Sequence, residues 1–272
     1  MRSDKEDRVG QGTQTMGMGL VFFRRLHVVP SVMQIRFCCL LASLFCTDLK
    51  FYAQQPPYAP TSSYVKQTIQ GFTVLIHPEV LRHEQDTQQM RLELESQLKT
   101  ILQVVPARPM EQLKKVRFWV EWAKKPNGGA EFHVSRGWLS ANGYNPEKAG
   151  DIEISHTRNF VKWSRAEQPC MVLHELAHAY HHLVLGDKHE GIKSAFQQAV
   201  DRKLYESIAY VNGGTRKAYA LTNAKEYYAE LTEAYFGKND FYPFNRNDLA
   251  RHDPVGYRLI ESTWGVPDAG KK

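Results

Sequence analysis

Apolar positions divide this chain into a mixed first half and a helical second half. Gly71-Phe72-Thr73-Val74-Leu75-Ile76-His77-Pro78 is a short apolar run bounded by glycine and proline, and predicts a strand. Met90, Leu94, Leu98, Ile101, Leu102 and Val105 then recur at helical spacing, and Pro106 ends them. Val116-Arg117-Phe118-Trp119-Val120-Glu121-Trp122 reads as a second strand and Pro126-Asn127-Gly128-Gly129 as a turn. Glu131-Phe132-His133-Val134 and Asp151-Ile152-Glu153-Ile154 are shorter strands, separated by a loop holding Trp138 and Tyr144. Beyond Gly186 helical patterning dominates, and Tyr257, Leu259, Ile260 and Trp264 mark a last helix. The expected class is α+β: a small mixed sheet, then one chemically distinctive helix, then a mostly helical C-terminal half.

That helix is Met171-Val172-Leu173-His174-Glu175-Leu176-Ala177-His178-Ala179-Tyr180-His181-His182. Pro169 suits its first turn and Gly186 its end, which gives a span of about four turns. Val172, Leu173, Leu176, Ala177, Tyr180, Leu183 and Val184 fall on one arc, and His174, His178, His181 and His182 on the other. A polar face made of histidine points to a metal, with zinc the simplest choice. His174-Glu175-x-x-His178 sets two imidazoles one turn apart, where both reach one ion, and places Glu175 to take a proton from a water held there.

Catalytic zinc takes a third protein ligand. A metzincin continuation is excluded, because His181 stands where that pattern needs glycine and Val184 where it needs histidine. Asn223-Ala224-Lys225-Glu226-Tyr227-Tyr228-Ala229-Glu230-Leu231-Thr232-Glu233 supplies acids instead. Glu226 and Glu230 share a helical face, so one can bind the metal while the other supports a ligand histidine. Glu233 reads as part of a solvated face, and His181 and His182 as partly exposed helix residues. The aromatic group Tyr235, Phe236, Phe241, Tyr242 and Phe244 suits core packing at least as well as a substrate pocket.

His174-Glu175-Leu176-Ala177-His178 taken with the segment from Tyr219 to Glu230 resembles the gluzincin metallopeptidases of the anthrax lethal factor type, across roughly residues 131–236. The resemblance implies a zincin-like fold and zinc-dependent hydrolysis of peptide or protein substrates. It implies Glu226 as the third metal ligand and Glu230 as the support of a ligand histidine. Tyr219, seven residues before Glu226, then assists at the scissile carbonyl.

Composition changes this picture little. The 272 residues are 42 % hydrophobic, with 35 Lys and Arg against 29 Asp and Glu. Half of the net charge of +6 falls in residues 1–53, and the rest has no Lys/Arg block, so no nucleic-acid partner is expected. Met33-Gln34-Ile35-Arg36 and the apolar run 37–45 read as a secretory leader too short for a membrane span, with Met33 as its start. The expected organisation is a targeting segment over 1–53, a linker over 54–63 and a catalytic domain over 64–272. The mature chain is expected to be secreted or periplasmic, without stable membrane insertion. Cys38, Cys39 and Cys46 fall in the leader, leaving Cys170 as a small buried residue without a disulfide partner. The competing expectation is a catalytically silent zinc-containing binding module on the same scaffold.

Overall fold

The computed structural model describes residues 56–266. The leader expected over residues 1–53, with its apolar run, lies outside the described residues. Strands β1 (Val65–Ile69), β2 (Phe72–Ile76), β3 (Phe118–Val120), β4 (Ala130–Phe132) and β5 (Ile152–Ile154) form a mixed sheet in the order β1-β2-β3-β5-β4. β2, β3 and β5 run parallel, and β1 and β4 close the two edges antiparallel. Helices α1 (Pro78–Leu81), α2 (Glu84–Val104) and α3 (Ala107–Leu113) link β2 to β3. Helix α4 (Arg136–Ala141) lies between β4 and β5, and α5 (Thr157–Ala166) follows β5. Next come α6 (Met171–Tyr180), α7 (Glu190–Asp201), a small β6–β7 hairpin (Ile208–Ala209 with Thr215–Arg216), α8 (Ala224–Phe236), α9 (Arg246–His252) and α10 (Pro254–Trp264). The α+β expectation holds at this level. Among the described residues no helix is long and apolar enough to cross a membrane.

The expected strands and the long helix form where the apolar pattern places them. Met90, Leu94, Leu98 and Ile101 are buried along α2, and Val105 caps it just before Pro106. Alternation sorts the sheet faces. Val74, Ile76, Phe118, Val120, Ile152 and Ile154 point into the main core, whereas Leu75 and Trp119 join Tyr64 in a smaller cluster on the opposite face.

β1 escapes the apolar pattern because it is an edge strand with a half-exposed, mostly polar sequence. Its register comes from the two-residue turn Gln70-Gly71, where both φ angles are positive (49° and 85°), a tight hairpin geometry. α5 is equally hard to see in the sequence, since its buried stripe is Thr157, Phe160 and Ser164 rather than a row of aliphatics. The segment expected as a linker is tied down from residue 56 onward. Asn145 Nδ2 donates to Ala59 O and Thr61 Oγ1, and Thr61 Oγ1 donates to Glu147 Oε2 at 2.8 Å.

The second half packs on α8. Tyr227 and Tyr205 donate their hydroxyls to Asp253, which also caps α10 through Gly256 N. A Cβ at Gly256 would sit 2.3 Å from Leu231 Cδ2, so glycine is what lets α10 approach α8. The aromatic group after α8 is largely core: Tyr235 and Phe241 are buried and Phe236 and Tyr242 pack against them.

Candidate metal centre

α6 is nearly buried all round, because the sheet covers one side and α8 the other. Its histidine face therefore meets protein rather than solvent. The regular helix ends at Tyr180, short of the expected four turns. It continues as a π turn over His181–Leu185, closed by Gly186 N–H donating to His181 O. α8 is started by Asn223, whose Oδ1 accepts from the backbone N–H of Lys225 and Glu226, so Glu226 lies in the first turn and faces α6.

The geometry brings three ligand atoms together. His174 Nε2 is 3.1 Å and His178 Nε2 3.3 Å from Glu226 Oε2, with the two rings 4.7 Å apart and nearly perpendicular. Atoms held at about 2.0–2.1 Å by a tetrahedral ion stand about 3.3 Å from one another. The observed separations match that edge length. Burial works to raise the Glu226 carboxyl, but the facing His178 and His174 rings outweigh it and hold the group far below the usual carboxylate range.

The other nitrogen of His174 also faces a carboxylate. Nδ1 lies 2.5 Å from Glu233 Oε1 and 3.9 Å from Glu230 Oε1. A neutral ring that gives its Nδ1 proton to Glu233 turns a lone pair on Nε2 towards Glu226 Oε2, another lone pair. With that tautomer the three ligand atoms could hold a metal ion. Two expectations change here. Glu233 is only 1 % exposed, so it is no part of a solvated face, and it supplies the short contact to His174 that the family pattern gives to Glu230. Glu230 stands behind it, equally buried. The stripe Glu226, Glu230, Glu233 repeats at i, i+4, i+7 and was the signal available for Glu233.

Glu175 is buried and its Oε2 accepts the backbone N–H of Phe132 on edge strand β4 at 2.8 Å. Burial raises its carboxyl pKa, against the lowering pull of His174 and His178. Tyr219 stands in a 3-10 turn (Tyr219–Leu221) leading into α8, its ring centroid 6.3 Å from that of His174. His182 is not a ligand; its Nδ1 pairs with Asp187, which also meets Lys225. His181 packs against Tyr228, and both its ring nitrogens are buried with no hydrogen-bond partner. Burial lowers its pKa to about 4. Cys170 is a half-buried residue whose sulfur accepts Lys238 N–H, and desolvation, with Glu233 nearby, pushes its pKa up to about 12. The expected buried residue is therefore only partly covered, and its raised pKa disfavours the reactive thiolate.

Among the described residues two further groups have ligand atoms close enough to share an ion. His174, Glu230 and Glu233 is the support side of the same site, sealed from any substrate. Glu131, His133 and Glu153 lies on the far face of the sheet, where Lys148 Nζ already sits 2.8 Å from Glu153 Oε1. No protein-family model, curated protein or solved structure matches this chain.

Proposed function

We propose that the chain is a secreted or periplasmic zinc peptidase with a zincin-like catalytic domain of the gluzincin type. The observation that carries this reading is the gathering of three ligand atoms, His174 Nε2, His178 Nε2 and Glu226 Oε2, at one point, with Glu175 next to His174 in the chain. His174, His178 and Glu226 would hold the ion, and Glu233 fixes the His174 tautomer. Zinc, when bound there, supplies a Lewis acid that lowers the pKa of water to about 7 and polarises a carbonyl.

The chain's own groups handle the protons. Glu175 takes one from the attacking water as its oxygen bonds to the peptide carbonyl carbon. It then passes that proton to the leaving nitrogen as the C–N bond breaks. Its Oε2 is fixed by Phe132 N–H, which leaves Oε1 for the transfer. Burial strengthens it as a base. Tyr219 donates its phenol hydrogen to the developing oxyanion, a contribution of about 3 kcal/mol for one such donor.

The test is zinc quantification combined with cleavage of a broad peptide library, comparing wild type with Glu175→Gln. Stoichiometric zinc in both, with turnover lowered about 10²- to 10⁴-fold in the variant, is expected. A folded wild type that cannot be loaded with zinc, or equal cleavage by both proteins, overturns the reading.

A further inference from the structure

The sheet face turned away from the metal centre carries a pocket of about 510 Å³ that includes none of the metal-site residues. It opens at the carboxyl ends of two parallel strands, where His77 follows β2 and Glu121 follows β3. This is where open sheets with parallel strands place ligands. Its volume suits a small molecule. The tied-down segment 56–59 forms one wall, and Tyr58, Tyr64, Trp122 and Tyr144 supply aromatic surface.

The floor is a set of buried charged groups paired with one another. Glu121 Oε1 accepts from Tyr64 Oη at 2.5 Å and from Lys148 Nζ at 2.6 Å, and Lys148 also donates to Glu153. Lys148 is 2 % exposed and Glu121 6 %. Glu79, at the rim, is turned to Arg82 and His83. A cationic ligand finds Glu121, Glu153 and Glu79 each already beside a basic group, and it meets the ammonium of Lys124, which rests 5.2 Å from the Tyr144 ring centroid. An anion meets Glu121.

What the pocket offers is a balanced set of neutral-type hydrogen-bonding positions. Glu121 Oε2 makes no protein hydrogen bond and can accept. His77 Nδ1 accepts from Glu79 N–H, so the neutral ring carries its proton on Nε2 and can donate. The Tyr58 and Tyr144 hydroxyls can do both. Alternating hydroxyls and C–H faces are the chemistry that matches acceptor, donor and ring in one cavity. We propose that this pocket binds a neutral hydroxyl-rich molecule, a mono- or disaccharide. The proposal does not rest on the metal reading.

The test titrates the isotopically labelled full chain with glucose, galactose, mannose, N-acetylglucosamine and their common disaccharides, following the Trp122 indole and Tyr144 signals. A saturable shift at both residues with at least one sugar is expected. Tyr58→Ala and Tyr144→Phe, which leave the buried charges in place, should each weaken it by up to about tenfold at unchanged melting temperature. Lysine methyl ester and acetate serve as cationic and anionic probes. No saturable shift up to the solubility limit, shifts confined to another surface, binding unaffected by both variants, or saturation by a charged probe alone overturns the proposal.

Discussion

The two faces of the sheet each bury a cluster of ionisable side chains, and they solve the same electrostatic problem differently. On the far face Glu121 and Glu153 enclose Lys148, and His133 completes the set at 2.5 Å from Glu153. Burial works to raise the Glu153 carboxyl, but the hydrogen bond from His133 and the charge of Lys148 bring it below its ordinary value. The cluster carries its own cation. Between α6 and α8, Glu226, Glu230 and Glu233 stand around His174, with His178 beside Glu226, and the nearby Lys225 is turned to Asp187. One cluster holds an ammonium of its own, and the other gathers histidine and carboxylate atoms that could share a metal ion.

The sharpest break in this comparison is Lys148→Met. It removes the ammonium that two buried carboxylates share, leaving Glu121 without its cation, and should cost about 3–5 kcal/mol of stability in chemical denaturation, with or without chelator. Chelation should destabilise wild type and leave Glu226→Ala unmoved. A Lys148→Met chain as stable as wild type would mean that the far-face network is not holding its charges as described. Chemistry should also stay on one side. Tyr219→Phe is expected to lower kcat by about 10²-fold with zinc content intact, whereas Tyr144→Phe leaves kcat alone. An equal drop in both would erase the distinction.

A finer distinction lies inside the metal cluster. Glu233→Gln should weaken zinc affinity by about 10- to 100-fold, and Glu230→Gln by less, because Glu233 makes the short contact with His174. Competitive zinc titration of the two variants checks the order, and the reverse order returns the support role to Glu230.

An effect spread over pH rather than read at one condition belongs to His181, a buried histidine with no hydrogen-bond partner at either nitrogen. Its pKa of about 4 lies below the unfolded value of about 6.5. Its neutral form is accommodated at high pH. As pH falls from about 6.5 to 4 the unfolded chain gains a proton that the folded chain resists, and stability declines by at most about 1.4 kcal/mol per pH unit. His181→Phe should flatten that part of the pH–stability curve, measured as the difference from wild type. An unchanged difference across the window would show that His181 does not titrate this way.

Much of the site is legible in the chain because helical spacing is local. His174, Glu175 and His178 are set by four residues of helix, and the α2 stripe by its own period. The strands with alternating apolar residues are legible for the same reason. β1, α5 and the tied segment before Tyr64 are not, because backbone pairing and side-chain-to-backbone bonds hold them rather than an apolar pattern.

What the sequence by itself determines is which groups lie on a common face. Glu230 and Glu233 sit about 40° and 20° around the helix from Glu226, on either side of one line. No local rule separates them. Only the rotation of α8 against α6, set by Gly256, Asp253 and the tyrosines packed behind it, brings Glu233 rather than Glu230 to His174 Nδ1. The far-face network is likewise invisible along the chain, since Tyr64, Glu121, Lys148 and Glu153 come from four separate segments. Periodicity reports the face a residue shares with its neighbours in sequence. The partner across that face depends on distant segments, and tertiary packing alone decides it.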